Sequence, residues 1–352
     1  MSPEPRKSSL VFWLGCASLF LVALLVAVGA TMMWMLHRST EQPSGLALSP
    51  DWRAHLRAAV ALPPEAALLA PARTVPGNAA AVLWRSPTTR TVTAERMVRG
   101  IPLTAEDSVA LAAALRDTAL DAVRRAATMR DYDPTLLALR DSGAGGEIFG
   151  VPLPSLLGRV RGASEELLLR GVGRARQGRL ADARADLEAV IGIGLMRFAR
   201  EPTTQGALAG ARSAALAATV LASLAPRDTL TSHAAARLEV WLANYASGLR
   251  GAWGDWFGLF SNTDSSLAAV SDTSLPFPIR AEGLFSGSIG SVVQGPWSAW
   301  LGPRRSVVRA VRAAEHSSDP DLAMLAVAAD TALARIGRVG AWRRLHYLHT
   351  GR

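Results

Sequence analysis

The hydrophobic pattern changes character once along the chain. From Leu10 to Leu36 it is continuous, 27 residues without a formal charge. As a helix this run would be about 40 Å long, against roughly 30 Å of bilayer hydrocarbon. Trp13 and Trp34 lie near its two ends, where interfacial aromatic belts sit. Beyond residue 50 the apolar positions recur at helical spacing, and the breaks between periodic segments fall at Gly and Pro.

Ser49-Pro50-Asp51 reads as a helix start and Pro63-Pro64 as its stop. Short helices are predicted around Glu65–Leu69 and Gly77–Trp84, with a β-prone stretch at Ser86–Thr93. Thr104-Ala-Glu-Asp107 resembles a capping box with Asp in the place of Glu. It opens a predicted helix to about Met129 with Leu111, Leu115, Ala119, Ala122 and Ala126 on one face. Asp133-Pro134 starts another short helix, and Ser142–Gly146 is a Gly-rich break. The clearest unit is 153–224: one helix to Arg176, a turn at Gln177-Gly178, and a second helix carrying Leu180, Ala183, Leu187, Val190, Ile191, Gly194 and Phe198 to Glu201-Pro202. An Ala-rich third runs from Gln205 to Leu224. A fourth follows with Ala234, Leu238, Trp241, Leu242, Tyr245 and Leu249 in a stripe.

Residues 251–303 depart from this pattern, being rich in Gly, Ser, Trp and Phe. Trp253, Trp256, Phe257 and Phe260 fall among Gly251, Gly254 and Gly258. Leu284–Leu301 carries no charge and holds Trp297 and Trp300. Two more helices are predicted after it, Pro303–Glu315 and one capped by Ser318 or Asp319 with Pro320 at its first position. The fold expected is all-α: a single N-terminal transmembrane helix and an irregular helical-hairpin domain with a non-regular Gly/Ser/Trp-rich insert. Its divisions are a cytoplasmic head 1–9, an anchor 10–36, a linker 37–50, the hairpin domain 51–250, the aromatic segment 251–303, and C-terminal helices with a basic tail 304–352.

Charge adds an orientation. Arg6 and Lys7 precede the anchor, which favours a cytoplasmic N-terminus and a periplasmic domain at a bacterial inner membrane. Two rival readings use the same residues: signal cleavage after Ala30, opposed by the apolar run continuing through Met32–Leu36, and a lipoprotein site at Cys16, preceded by too few apolar residues. Cys16 is the only cysteine, so the outer domain has no disulfide. Of the 38 basic residues only Lys7 is lysine, and Ala is abundant; this follows a GC-rich coding bias, and nucleic acid is not an expected partner. Nine arginines against four acids lie in 304–352, so most of the domain's positive charge is C-terminal.

Ala175-Arg-Gln-Gly178-Arg-Leu-Ala-Asp-Ala183 with Leu187 looks like the turn and second helix of a tetratricopeptide-type hairpin, although no period near 34 residues recurs. Residues 165–224 resemble a group of uncharacterised, N-terminally membrane-anchored bacterial helical proteins. The resemblance implies a tethered helical domain and carries no functional residues.

Candidate chemistry is sparse. Gly171-Val-Gly173-Arg-Ala-Arg-Gln-Gly178 lacks the preceding strand and the Lys-Ser/Thr of a phosphate loop, and reads as close helix packing. His346 with His349 lacks further zinc ligands. His316 near Asp319 and Asp321 is outweighed by the capping role of Asp319. Gly287-Ser288-Ile-Gly290 is not a nucleophile elbow. No catalytic residue, cofactor or metal is assigned. The expected function is a non-enzymatic membrane-anchored scaffold or interaction protein, an accessory subunit of a larger membrane assembly; the alternative is an enzyme whose site is assembled from dispersed residues. Partners read from the sequence are the membrane, another protein through Trp253, Trp256, Phe257, Phe260, Trp297 and Trp300, and an acidic surface such as anionic lipid through Arg338, Arg343, Arg344 and Arg352. The competing reading of these aromatics is core filling, and of the arginines a solvated helix end.

Overall fold

The computed structural model describes residues 16–32, 64–85, 93–134, 153–224, 228–261, 270–275, 277–284 and 305–338. It is mostly helical, as the periodicity predicts. The apolar helix α1, Cys16–Met32, exposes every residue along its length. Then come α2 (Pro64–Leu68), strand β1 (Val75–Asn78), α3 (Ala79–Arg85), α4 (Thr93–Val98), α5 (Ala105–Arg116), α6 (Leu120–Ala126) and strand β2 (Met129–Asp131). The long helices follow: α7 (Leu153–Arg176), α8 (Leu180–Arg200), α9 (Thr204–Leu224) and α10 (Thr229–Ser261). Helix α11 covers residues 277–284. The last two are α12 (Arg305–Ala314) and α13 (Pro320–Arg338).

Helices α7, α8 and α9 pack in chain order, and α10 lies on α9. Gly178, at φ 76°, makes the reversal from α7 to α8 in a conformation that a β-carbon disfavours. At the crossing of α8 and α9 the backbones nearly touch. A β-carbon on Gly194 would press into the Gly210 carbonyl oxygen, and one on Gly210 would lie 2.8 Å from that of Gly194. The Ala-rich composition of α9 serves this close approach. It also makes α9 the one helix among the described residues long and apolar enough to cross a membrane, with half of its apolar window buried inside the protein.

Three expectations are corrected. The single helix predicted over 104–129 is two, because Asp117 leaves helical geometry and its carboxylate accepts the Ala119 N–H at 2.7 Å. Its predicted last residue, Met129, instead starts β2, which pairs in parallel with β1. The helix placed at Gly77–Trp84 starts at Ala79, because Gly77 and Asn78 belong to β1 and the Asn78 side chain accepts the Ala80 N–H at 3.0 Å. The insert 251–303 is in part regular: α10 runs through Gly251, Gly254 and Gly258 to Ser261, and α11 is a second helical piece. Glycine lowers helix propensity by only about 1 kcal/mol per residue, which 33 residues of helix absorb.

Two apolar cores result. The larger is shared by α2 to α10, with Leu275 and, from α11, Ile279 joining it. The smaller joins Phe277, Ala281 and Leu284 of α11 to Val311 of α12 and Leu322, Leu325, Ala326 and Ala329 of α13. Thr104 closes the predicted capping box, accepting from Asp107 N at 3.1 Å while Asp107 accepts from Thr104 N at 2.8 Å. Asp319 caps α13 by accepting from the N–H of Asp321 and Leu322. The helices predicted at 51–62 and after Pro134, and the stretch 86–92, lie outside the described residues.

Candidate functional site

Helix α4 lies across α7 and α9, and the three leave an open cleft of about 240 Å³. Spacing on α9 puts Gln205, Leu208, Arg212 and Leu216 along one side of it, because these positions repeat nearly every helical turn. Leu168 of α7, almost fully buried, joins Leu208 and Leu216 in the apolar floor. The rim is charged: Arg212 reaches Glu95 of α4 at 2.6 Å, and Glu95 also holds Arg99 at 2.8 Å. The Ser213 hydroxyl is occupied by its own helix, donating to the Ala209 carbonyl at 3.0 Å. An apolar floor under a paired rim suits an apolar side chain entering from outside.

Two buried polar networks lie deeper. Asp186 of α8, fully buried, accepts two hydrogen bonds from Arg170 at 2.9 and 2.8 Å and one from Arg174 at 2.7 Å. Arg170 reaches on to Asp121 at 3.0 Å and to the Asp117 carbonyl at 3.2 Å, tying the α5–α6 break to the α7–α8 hairpin. In the second network Glu201 accepts from Tyr132 at 2.9 Å and from Arg197 at 3.0 Å, all three side chains being buried. Burial pushes the Tyr132 hydroxyl well above its usual range, and the Glu201 carboxylate adds to the shift. Burial alone would lower Arg197, but the Glu201 charge, Tyr132 and the hydrogen bonds to both together more than offset it. Beside them Phe198 meets Trp241 and Tyr245 edge-on at 4.7 and 5.1 Å. These groups hold β2, α8 and α10 together. Among the described residues no three His, Cys, Asp or Glu are grouped to hold a metal ion.

None of the sequence-predicted residues that are described lines the cleft. Trp253, Trp256, Phe257 and Phe260 are on α10, at i, i+3, i+4 and i+7, so the helix aligns the four positions along one side. Trp297 and Trp300 lie outside the described residues. Arg338 ends α13, and Arg343, Arg344 and Arg352 lie outside the described residues, as do His346, His349 and Gly287–Gly290. Gly171 and Gly173 do pack inside a helix. A β-carbon on Gly171 would meet Leu187 at 3.2 Å, and one on Gly173 would meet Leu111 at 2.7 Å.

Sequence reasoning missed the cleft and both networks. A signal existed for the first: Asp186 sits three residues after Ala183 and four before Val190, on the apolar stripe, where a charge must find a buried partner. For the second, Glu201 read only as a helix stop. Compared with family models, curated proteins and solved structures, the chain matches none.

Proposed function

We propose that the protein is a membrane-anchored helical interaction protein, an accessory to a larger membrane assembly at the bacterial inner membrane. Leu10–Leu36 spans the bilayer as a signal-anchor with the N-terminus in the cytoplasm, and the helical domain stands on the periplasmic side. One observation carries this reading: α1 exposes Leu19, Phe20, Leu21, Val22, Leu24, Leu25, Val26, Val28 and Met32, each about half or more accessible. Covering such side chains is worth about 1.5–3 kcal/mol each. Together that matches or exceeds the 5–15 kcal/mol stability of a whole domain, so these residues require an apolar medium, and lipid supplies it. Helix α1 alone is about 25 Å long; the uncharged flanks to Leu10 and Leu36 extend it across the hydrocarbon.

The tetratricopeptide-like character of 165–224 belongs to the same proposal. Its support is the hairpin turn at Gly178 and the close seat of Gly171 against Leu187. The partner protein meets the cleft of α4, α7 and α9 and the aromatic positions of α10. The basic C-terminus, Arg338 onward, rests near anionic headgroups. The rival reading, an enzyme, needs a deep polar pocket with converging groups. The cleft of about 240 Å³ is smaller than the roughly 300–1,000 Å³ of ordinary ligand sites, which favours the interaction reading.

Protease protection in sealed, oriented vesicles tests the topology. Digestion of the domain from the cytoplasmic side overturns it. Affinity capture of the full-length protein in mild detergent tests the partner: a membrane protein is expected to co-purify from wild type and to be lost with Leu208→Glu. Capture of no membrane protein, or of the same one by both forms, counts against the cleft.

A further inference from the structure

The last three helices form a C-terminal module jointed to the body at the corner between α8 and α9. Ile279 of α11 enters the larger core, while Phe277, Ala281 and Leu284 join α11 to α12 and α13 in the smaller. Glu282 of α11 accepts the Thr204 N–H at 2.7 Å, and Arg200, at the end of α8, sits 3.3 Å from both Asp319 and Asp321 at the start of α13. Helix α12 packs on α13 and buries Val311 and Ala314, with Ala310 against the same core. This packing leaves the opposite side of α12 facing away from the module.

That side is a row of arginine positions. Positions 305, 309 and 312 fall within an arc of about 60° at 3.6 residues per turn, opposite positions 310, 311 and 314. The Arg312 side chain is 63% exposed, and Ala313 beside it is exposed as well. With Arg304, four arginines and no acid occupy residues 304–312. Exposed arginines elsewhere have a carboxylate one turn away: Arg99 with Glu95, Arg179 with Asp182 and Arg184 with Glu188. In α12 the positions three and four residues from Arg305 and Arg309 hold another arginine or an uncharged residue. Like charges one turn apart disfavour a helix, and an anionic surface relieves that repulsion. Arg312 meets Asp330 of α13 at 3.3 Å, an exposed pair of the kind that contributes little.

The residues before the row indicate the chemistry of its partner. Leu284–Leu301 is uncharged and carries Trp297 and Trp300, and after Gly302 and Pro303 come Arg304 and Arg305. Tryptophan is enriched at bilayer interfaces, and clustered arginines beside a bilayer are drawn to acidic lipid. We propose that the arginine face of α12 docks the C-terminal module on the phosphates of anionic lipid headgroups. This rests on the membrane-anchored reading, which keeps the domain beside a bilayer, and it is separate from the basic tail that begins at Arg338. Arginine suits the role, because its planar guanidinium binds phosphate oxygens in pairs.

A nitroxide at position 313 tests this in the full-length protein, with Cys16→Ser and Ala313→Cys giving one labelling site. The vesicles are phosphatidylcholine alone or mixed with phosphatidylglycerol, with the same lipids in both leaflets, so the result does not depend on orientation. A nickel chelate carried on the headgroups reports how near the label lies to the bilayer surface. Relaxation of the label by the chelate is expected to rise several-fold with the anionic lipid and to fall back in high salt. Arg309→Gln with Arg312→Gln should abolish the rise. Arg305→Gln with Arg309→Gln, which leaves the Asp330 contact in place, should do the same. Arg116→Gln with Arg125→Gln removes two exposed arginines from α5 and α6 and should leave the rise unchanged. No rise in anionic vesicles, which would leave the row to an acidic protein, overturns the proposal. So does a rise that survives the α12 substitutions or is lost equally with the α5 and α6 pair. Anchoring is read apart, by flotation with the neutral vesicles. Protein that fails to float there refutes the anchor, while the label on anionic vesicles still reads the row.

Discussion

Helix α8 is held by opposite means along its two sides. Against α7 its contact centres on a fully buried carboxylate, Asp186, gripped by Arg170 and Arg174. Against α9 its contact centres on bare backbone, Gly194 facing Gly210. The first is directional. Two charges leave water, and only good geometry with several hydrogen bonds repays that loss. The second is non-directional and depends on the absence of a side chain, so that two helices approach close enough for broad dispersion contact. The ionic side fixes which residues face each other, and the glycine side fixes how near the helices come. The first should fail when a partner is removed, the second when an atom is added.

The comparison breaks most sharply at Asp186. Asp186→Ala takes the partner from two buried nitrogens of Arg170 and one of Arg174 and is expected to cost about 4 kcal/mol, read by urea unfolding of the full-length protein in detergent. Restoring apolar complementarity with Asp186→Leu and Arg170→Met together should recover most of the loss. A double variant no better than the single would mean that the charges do more than fill the interface. On the glycine side, Gly194→Ala adds one carbon against a carbonyl and should cost on the order of 2 kcal/mol, with Gly210→Ala showing a similar loss in the same titration.

A smaller effect is expected outside both interfaces, at the capping box of α5. Thr104→Ala should lower stability by about 1 kcal/mol. The Thr93 hydroxyl and the Thr104 backbone hold Asp107 down to about 2, with Thr104's own hydroxyl and Arg96 helping. A depressed carboxylate stabilises the fold above its ordinary range near 3.8 and loses that stabilisation as pH falls toward about 2. Thermal melts of wild type should therefore drop through this window, with a shallower drop in Asp107→Asn. The smallest change is expected on the outer side of α8, where Arg184 meets Glu188 at 2.7 Å in solvent. Arg184→Ala should stay within about 0.5 kcal/mol, and a larger loss would show that exposed pairs contribute more than the contrast assumes.

Local chemistry was enough for much of this architecture. The reversal at Gly178, the caps at Thr104 and Asp319, and the stripes of α8 to α10 all arise from residues within a turn or two of one another, so they stand in the sequence directly. The uncharged run from Leu10 to Leu36 is legible for the same reason, since length and composition alone set its preference. The break at Asp117 was local too, but a short polar side chain competes with the helix by a margin that its neighbours decide.

What only the tertiary structure decided are the contacts between residues far apart in the chain. The parallel pairing of β1 with β2 joins segments more than fifty residues apart, too short to show a period of their own. The cleft requires α4 to cross α7 and α9, and the Tyr132–Glu201–Arg197 network requires β2 to end against the close of α8. The joint at Arg200 requires α13, more than a hundred residues later, to return to the α8–α9 corner. A charged residue looks the same in the sequence whether it ends in water or against a partner. Periodicity gives the direction in which a side chain leaves its helix, and only the packing of the other helices decides what it meets there.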